Sequence, residues 1–443
     1  MWQRLILAVP IVLMPNALHF PLGTGIPAIN LANALMIAVV VVLLMSPRHD
    51  GLQHTGTGML TAPIFLMFTA LVIGLLVALH TLPKTLVGDL TELKNFIFYP
   101  LLYFVYRNCR QDLQGTRQLI ALVLLVAILA GLESIWKGIY MDSFSSYNDG
   151  KRIAGPFGDF RVSNRAGVFY AMFLPMLVAL VLYMRGQKLV RLVALGGIAV
   201  LTVAILLTFS RQSYLIALVT CSLLLIRRHI VLAVLLGLAT IPAIALLPEG
   251  VTQRVADTQQ VDDAGDAQLD VSTASRFEIW AGAMDMWADH PAGVGFDRFP
   301  SYIGQYSRYA DYDAHNMYVL MLAECGPLGL LALLWLLWRL LRLALSVRRS
   351  SSPDDSEARA IGIGFTVAVI AMAMGNLYGS PFHEGLVMAN FWILCGLVEH
   401  YALLKRHAPA AIATEPVPTT AQLIGARFPL AAHIAPGRYR PDT

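Results

Sequence analysis

Apolar residues come in runs of about twenty along this chain, divided by short polar stretches. A helix of ~20 residues crosses the hydrocarbon core of a bilayer, whereas barrel strands would show period-two alternation over ~10 residues. The runs lie at 4–21, 26–46, 59–80, 92–108, 117–136, 166–185, 190–209, 212–227, 229–247, 326–346, 360–379 and 386–405. They predict an all-α polytopic membrane protein with twelve transmembrane helices, the run at 92–108 being the least apolar. The pattern lapses twice. Residues 1–247 then hold nine spans, 248–325 a helical loop domain, 326–407 three more spans, and 408–443 an Ala- and Pro-rich tail expected to be disordered.

Composition agrees. The 443 residues are 57% hydrophobic and only 14% charged, against about 25% charged in a soluble domain. Disorder, collagen and a disulfide scaffold are excluded by the same figures. A net charge of +4 with no basic stripe gives no case for nucleic acid. Cys109, Cys221, Cys325 and Cys395 are far apart with no CxxC pair, so neither a zinc site nor a disulfide framework is indicated.

Lys and Arg set the expected orientation. With a cytoplasmic N-terminus, the inner loops carry Arg48, Arg107, Arg110, Arg117, Arg185, Lys188, Arg191, Arg227, Arg228, Arg339, Arg342, Arg348, Arg349, Arg359, Lys405 and Arg406. Both termini are then cytoplasmic. Two outer segments break the rule. One is 137–165, with Lys137, Lys151, Arg152, Arg161 and Arg165; the other is 248–314, with Arg254, Arg276, Arg298 and Arg308. Cations placed against the rule need another reason to be there.

The long outer loop divides in two. Its acidic, apolar-poor stretch 257–270 is expected to be flexible. In 275–289, Phe277, Trp280, Met284 and Trp287 fall at helical spacing, predicting an amphipathic helix along the membrane surface.

Candidate chemistry gathers on the outer face. Lys94 starts the fourth span, Arg152 and Asn164 bracket the loop before the sixth, and Ser210-Arg211-Gln212 turns between the seventh and eighth. Arg276 opens the amphipathic helix, and His315-Asn316 opens a helical stretch to Glu324, ahead of a break at Gly326-Pro327. Singly, each has an ordinary reading. Arginines snorkel or bind lipid phosphate, Lys94 can be an interfacial anchor, and Glu324 can cap a bend. Asp311 and Asp313 form a DxD that can hold a divalent metal, although such loops are more often merely solvated. Together the set fits an anionic, membrane-borne group, because guanidinium forks match phosphate geometry. A histidine with a pKa near 6.5 can take a proton from an incoming hydroxyl.

Four ordered elements resemble the O-antigen ligase and polymerase superfamily. SRFEIWAGAMDMWADHPAGVGFDRF supplies Arg276, Trp280, His290, Pro291, Gly293, Gly295 and Phe299. HNMYVLMLAECGPLG (315–329) resembles the family's His-Asn and Glu-x-Gly element, TFSRQSYL (208–215) its Ser-Arg turn, and RIAGPFGDFRVSNRAG (152–167) its Arg-x-x-Gly-x-Phe loop. In that loop GDFRVSNR replaces a shorter Asn-Pro-Asn-like turn.

The resemblance implies a GT-C-like, inverting, metal-independent glycosyltransferase of the bacterial inner membrane, with no cofactor and a periplasm-facing site. An O-antigen ligase takes a glycan from undecaprenyl pyrophosphate and joins it to a sugar of lipid A–core, completing lipopolysaccharide. An O-antigen polymerase and a protein O-oligosaccharyltransferase are the alternatives within the superfamily, and a lipid-linked glycan transporter is the alternative outside it. On the ligase reading His315 is the catalytic base. Arg211, Arg276, Arg152 and Lys94 hold donor pyrophosphate, Asn316, Glu324, Ser210 and Asn164 support them, and Arg161 and Arg165 face the acceptor. The implied partners are the lipid-linked glycan, lipid A–core and membrane lipids.

Overall fold

A computed structural model describes residues 2–20, 31–45, 57–231, 271–352 and 354–407, with short pieces at 234, 251–252, 259–261 and 267–269. Helices dominate. In chain order among the described residues they are α1 (Trp2–Leu13), α2 (Leu31–Met45), α3 (Thr61–Thr81), α4 (Leu86–Phe98), α5 (Leu101–Arg107), α6 (Leu113–Tyr140) and α7 (Ser163–Tyr183). There follow α8 (Lys188–Leu207), α9 (Arg211–Arg228), α10 (Val271–Asp289), α11 (Phe299–Ile303), α12 (Met317–Arg349), α13 (Ser356–Gly375) and α14 (Gly385–His407).

Seven of these are long and apolar enough to cross a membrane: α3, α6, α7, α8, α12, α13 and α14. The remaining expected spans take other forms. At 4–21 and 26–46 stand helices of 12 and 15 residues. The run at 212–227 forms an 18-residue helix with arginines at both ends, and 229–247 lies almost wholly outside the described residues. The run at 92–108 is two helices, because Pro100 has no N–H to continue the ladder. Leu102 and Tyr103 N–H instead donate three residues back, to the Tyr99 and Pro100 carbonyls (3.0 and 3.2 Å).

The 257–270 stretch, expected to be flexible, contains an antiparallel hairpin of β1 (Gln259–Val261) and β2 (Ala267–Leu269), with Gln260 opposite Gln268. Two short extended segments there satisfy each other's backbone groups.

Burial sorts the spans. Helices α7 and α14 are buried along most of their length, and α8 presents Leu189, Leu192, Val193 and Leu195 outward. Apolar faces turned outward are what lipid contact requires.

One end of the bundle collects cations expected on the inner face, and pairs them. Arg107 Nε lies 2.8 Å from Glu399 Oε1, and Glu399 also accepts the Tyr103 hydroxyl (2.6 Å) and the Met59 N–H. Arg117 pairs with Glu357 and Lys405 with Asp355 at 2.5 Å each. Removing either partner of a buried pair such as Arg107–Glu399 would leave an uncompensated charge, which is why such groups come together.

Candidate active site

The candidate residues meet at the opposite end. His315 sits between two fixed points. The Trp280 indole Nε1–H donates to the Ala314 carbonyl at 2.8 Å. On the other side the Met317 N–H donates to the Asn376 carbonyl at 2.9 Å and the Gly379 carbonyl at 3.2 Å. Between them His315 adopts φ +48°, a left-handed conformation uncommon outside glycine although less so for histidine. Asn316 then caps α12, its side-chain oxygen accepting from Tyr318 and Val319 N–H. Asn316 is thus a cap that fixes the backbone beside the imidazole.

His315 lines a pocket with Arg161, Asn164, Arg165, Arg276 and Asp313, with about 470 Å³ of empty space including its open mouth. Its Nδ1 lies 3.6 Å from Asp313 Oδ2. Burial lowers the imidazole pKa below its usual 6.5; Asp313 raises it, and the Arg276 and Arg165 charges lower it further. The neutral ring is therefore favoured, and only the neutral ring can accept a proton. Arg165 is offset by Glu384, and Arg161 and Arg276 against Asp313 still leave the pocket a surplus of positive charge.

The other expected residues lie around this pocket at different depths. Arg152 stands behind its wall, with Nη2 donating to Asn164 Oδ1 (2.5 Å) and Nε to the Thr208 carbonyl (3.2 Å). It therefore holds Asn164, which does line the pocket. Ser210 caps α9 by accepting from Ser213 N–H, after Phe209 turns the chain at φ +49°. Arg211 begins that helix; its neighbour Gln212 lines the pocket and donates to the Gly375 carbonyl at 2.7 Å. Lys94, on α4, is not among the lining residues. Arg161 lies over the Phe160 ring, 5.7 Å from its centroid. Arg165 Nη1 pairs with Glu384 Oε1 at 2.6 Å.

Glu324 points elsewhere. It is buried, and its Oε1 accepts the Phe299 N–H at 3.0 Å. Its backbone takes part in a second contact. At Gly326 (φ +63°) helix α12 kinks, which frees carbonyls from the helical ladder. The Ala323 and Glu324 carbonyls accept from Val294 (2.9 Å) and Gly295 (3.0 Å), while Phe296 N–H reaches the Gly74 carbonyl at 2.9 Å. The His-Pro-x-Gly-x-Gly segment is thus zipped into the break. A Cβ at Gly293 would lie 2.4 Å from the Glu324 carbonyl oxygen, so only glycine permits this approach.

The amphipathic helix α10 packs on the protein through its aliphatic face and leaves part of the aromatic face outward. Ile279, Ala283 and Met286 are buried, Phe277 and Met284 are exposed, and Trp280 is the hydrogen-bonded link to the His315 loop.

Sequence reasoning missed several participants. Arg298 is fully buried and grips Asp89 through two bonds of 2.9 and 2.8 Å, with Nε on the Leu82 carbonyl. It ties α4 to the segment between α10 and α11. The Tyr378-Gly379-Ser380-Pro381 turn also lines the pocket. Among the described residues the buried Ser380 hydroxyl has no hydrogen-bond partner. A Gly-Ser-Pro turn at the end of an expected span was the available signal. Asp311 and Asp313 belong to no group of three or more His, Cys, Asp or Glu among the described residues that could hold a metal ion.

Residues 196–334 match the family model described as O-Antigen ligase, which supports placing the chain in the O-antigen ligase superfamily. That region includes Ser210, Arg211, Arg276, Asp313, His315 and Glu324. Over 78 residues, 16% of the chain, the sequence is 36% identical to a tetrahydromethanopterin S-methyltransferase subunit of Methanosarcina mazei. The match spans 29% of that protein, and it brings no activity with it.

Proposed function

From the O-antigen ligase match over residues 196–334, we propose that this protein transfers a glycan from a polyprenyl pyrophosphate to a lipid A–core sugar, at the periplasmic face of a bacterial inner membrane. The observation that carries this reading is the shared pocket of His315, Asp313 and Arg276. A neutral imidazole beside a carboxylate is suited to general-base work. His315 takes the proton of the acceptor hydroxyl. The hydroxyl oxygen attacks the donor's anomeric carbon as the bond from that carbon to the pyrophosphate oxygen breaks. Attack from the side opposite the leaving group inverts the anomeric centre.

Arg276 meets the negative charge that develops on the departing pyrophosphate, where a preorganised cation is most effective. Arg161 and Arg165 add positive potential on the acceptor's side, while Arg211, the first residue of α9, is not among the residues that line the pocket. Arg152 acts through Asn164, as a positioning residue. Lys94 does not line the pocket and is assigned to a lipid-headgroup phosphate.

The test is transfer by purified protein in detergent. Given polyprenyl-pyrophosphate-linked glycan and lipid A–core, it is expected to form the joined lipopolysaccharide. Given the lipid-linked glycan alone, it is expected to make no longer polymer. Chain growth without lipid A–core would make it a polymerase, and no transfer under either condition would reject the transferase reading.

A further inference from the structure

A second cavity opens beside the first, and Arg165 lines both. Its cavity volume is about 300 Å³, at the lower end of the ~300–1,000 Å³ usual for small-molecule sites. Its polar wall comes from Glu92 and Asn95 on α4 and from His383 and Glu384 ahead of α14; Tyr99 adds an aromatic ring. That ring is laid against the backbone, since a Cβ at Gly385 would lie 1.7 Å from Tyr99 Cε2. Among the described residues, no hydrogen bond or ion pair engages the Glu92 or Asn95 side chain. Glu384 is held by Arg165 at 2.6 Å.

The two cavities have opposite chemistry. The His315 pocket has three guanidinium groups and one carboxylate. The second has two carboxylates, an amide and an imidazole, with Arg165 at the border. With Glu384 neutralised by Arg165, a phosphate would still meet the Glu92 carboxylate and be repelled. A neutral sugar would not. Carboxylates accept from hydroxyl groups, and an amide both donates and accepts, so neighbouring hydroxyls of one ring can be bound together. An aromatic face offers apolar surface to the ring's C–H side.

We propose that this second cavity is a saccharide subsite, which holds a neutral, hydroxyl-rich sugar ring of a glycan substrate while the Arg165–Glu384 pair divides it from the His315 pocket. The inference rests on the glycosyl-transfer reading for its substrate class. It divides the labour between the cavities: the anion goes to one and the uncharged ring to the other. Arg165, bound to Glu384 and close enough to act on the His315 charge, couples occupancy of the two.

Asn95→Ala and Glu92→Gln test it, since neither residue belongs to the His315 pocket. Each variant is expected to raise KM for one glycan substrate about tenfold, as loss of a ligand hydrogen bond does, with kcat preserved. Whether the donor or the acceptor KM moves identifies whose sugar is bound. In parallel, saturation-transfer NMR with lipid-free oligosaccharides from the donor glycan and from lipopolysaccharide core reads binding without turnover. Binding by the parent protein that is lost in Asn95→Ala supports the subsite even if no transfer is seen, in which case only the proposed activity fails. No oligosaccharide binding by the parent protein, together with unchanged KM values in both variants, overturns the subsite.

Discussion

His315 Nδ1 and Asp313 Oδ2 lie 3.6 Å apart in the pocket they share with Arg276. Burial holds the imidazole pKa below the usual 6.5 despite Asp313. The proton-accepting form therefore persists to lower pH than for an ordinary histidine. The acid limb of kcat/KM is expected below pH 6.5. Asp313→Asn, which removes a charge that raises this pKa, is expected to move the limb lower still. A pH–rate profile with its acid limb above 6.5, or unmoved by Asp313→Asn, would contradict the assignment. Stability follows the same sign: the contribution of this group is intact above about pH 6.5 and declines as pH falls, since the unfolded chain takes the proton first.

His315→Ala is expected to insert and fold, because α12 keeps its Asn316 cap and the Met317 anchor. Its transfer rate is expected to fall by about 10²–10⁴, the usual contribution of a positioned base. A variant retaining more than roughly a tenth of the parent rate would reduce His315 to an acceptor-orienting role.

Arg276→Ala is expected to lose about 10²–10³ in rate, comparable to removing one preorganised donor at a developing charge. Arg276→Lys is expected to recover only part, since a point charge cannot replace the guanidinium fork. Steady-state kinetics with saturating acceptor read both. Parent-like turnover in Arg276→Ala would remove it from the leaving-group contact.

Arg298 and Asp89 are expected to behave as a buried pair. Asp89→Ala should cost about 3–5 kcal/mol by leaving Arg298 uncompensated. The double change Asp89→Leu with Arg298→Met should recover much of that loss. Thermal unfolding in detergent compares them, and a single variant as stable as the parent would show the pair to be energetically idle.

Gly293→Ala is expected to destabilise by more than about 1 kcal/mol, because alanine is strained at φ +92° and its Cβ meets the Glu324 carbonyl. Loosening the zipped loop should also displace Arg298 and α11. Unchanged thermal stability would mean that the α12 kink closes without this segment.

Long apolar runs made the helices legible, because burying a backbone in lipid demands internal hydrogen bonds whatever the neighbours are. The start of α12 was legible as well: Asn316 is a favoured cap and Gly326-Pro327 a favoured break, both decided within a few residues. His315 and Arg276 could be singled out because cations in a segment expected on the outer face contradict the orientation rule, and because the ordered motifs resemble a family.

What the sequence could not determine is where the remaining polar groups find partners. Arg298 read as one more outer cation, yet it is neutralised by Asp89, 209 positions away. Arg165 read as an acceptor contact, yet it bridges two cavities through Glu384. Glu324 and Arg152 read as site residues, and packing gives them a neighbouring N–H and Asn164 instead. Local sequence determines whether a segment is helical, because propensity, capping and lipid burial act over a few turns. A buried charge is settled by whichever partner the folded bundle brings within about 3 Å. That distance exists only once every helix is in place.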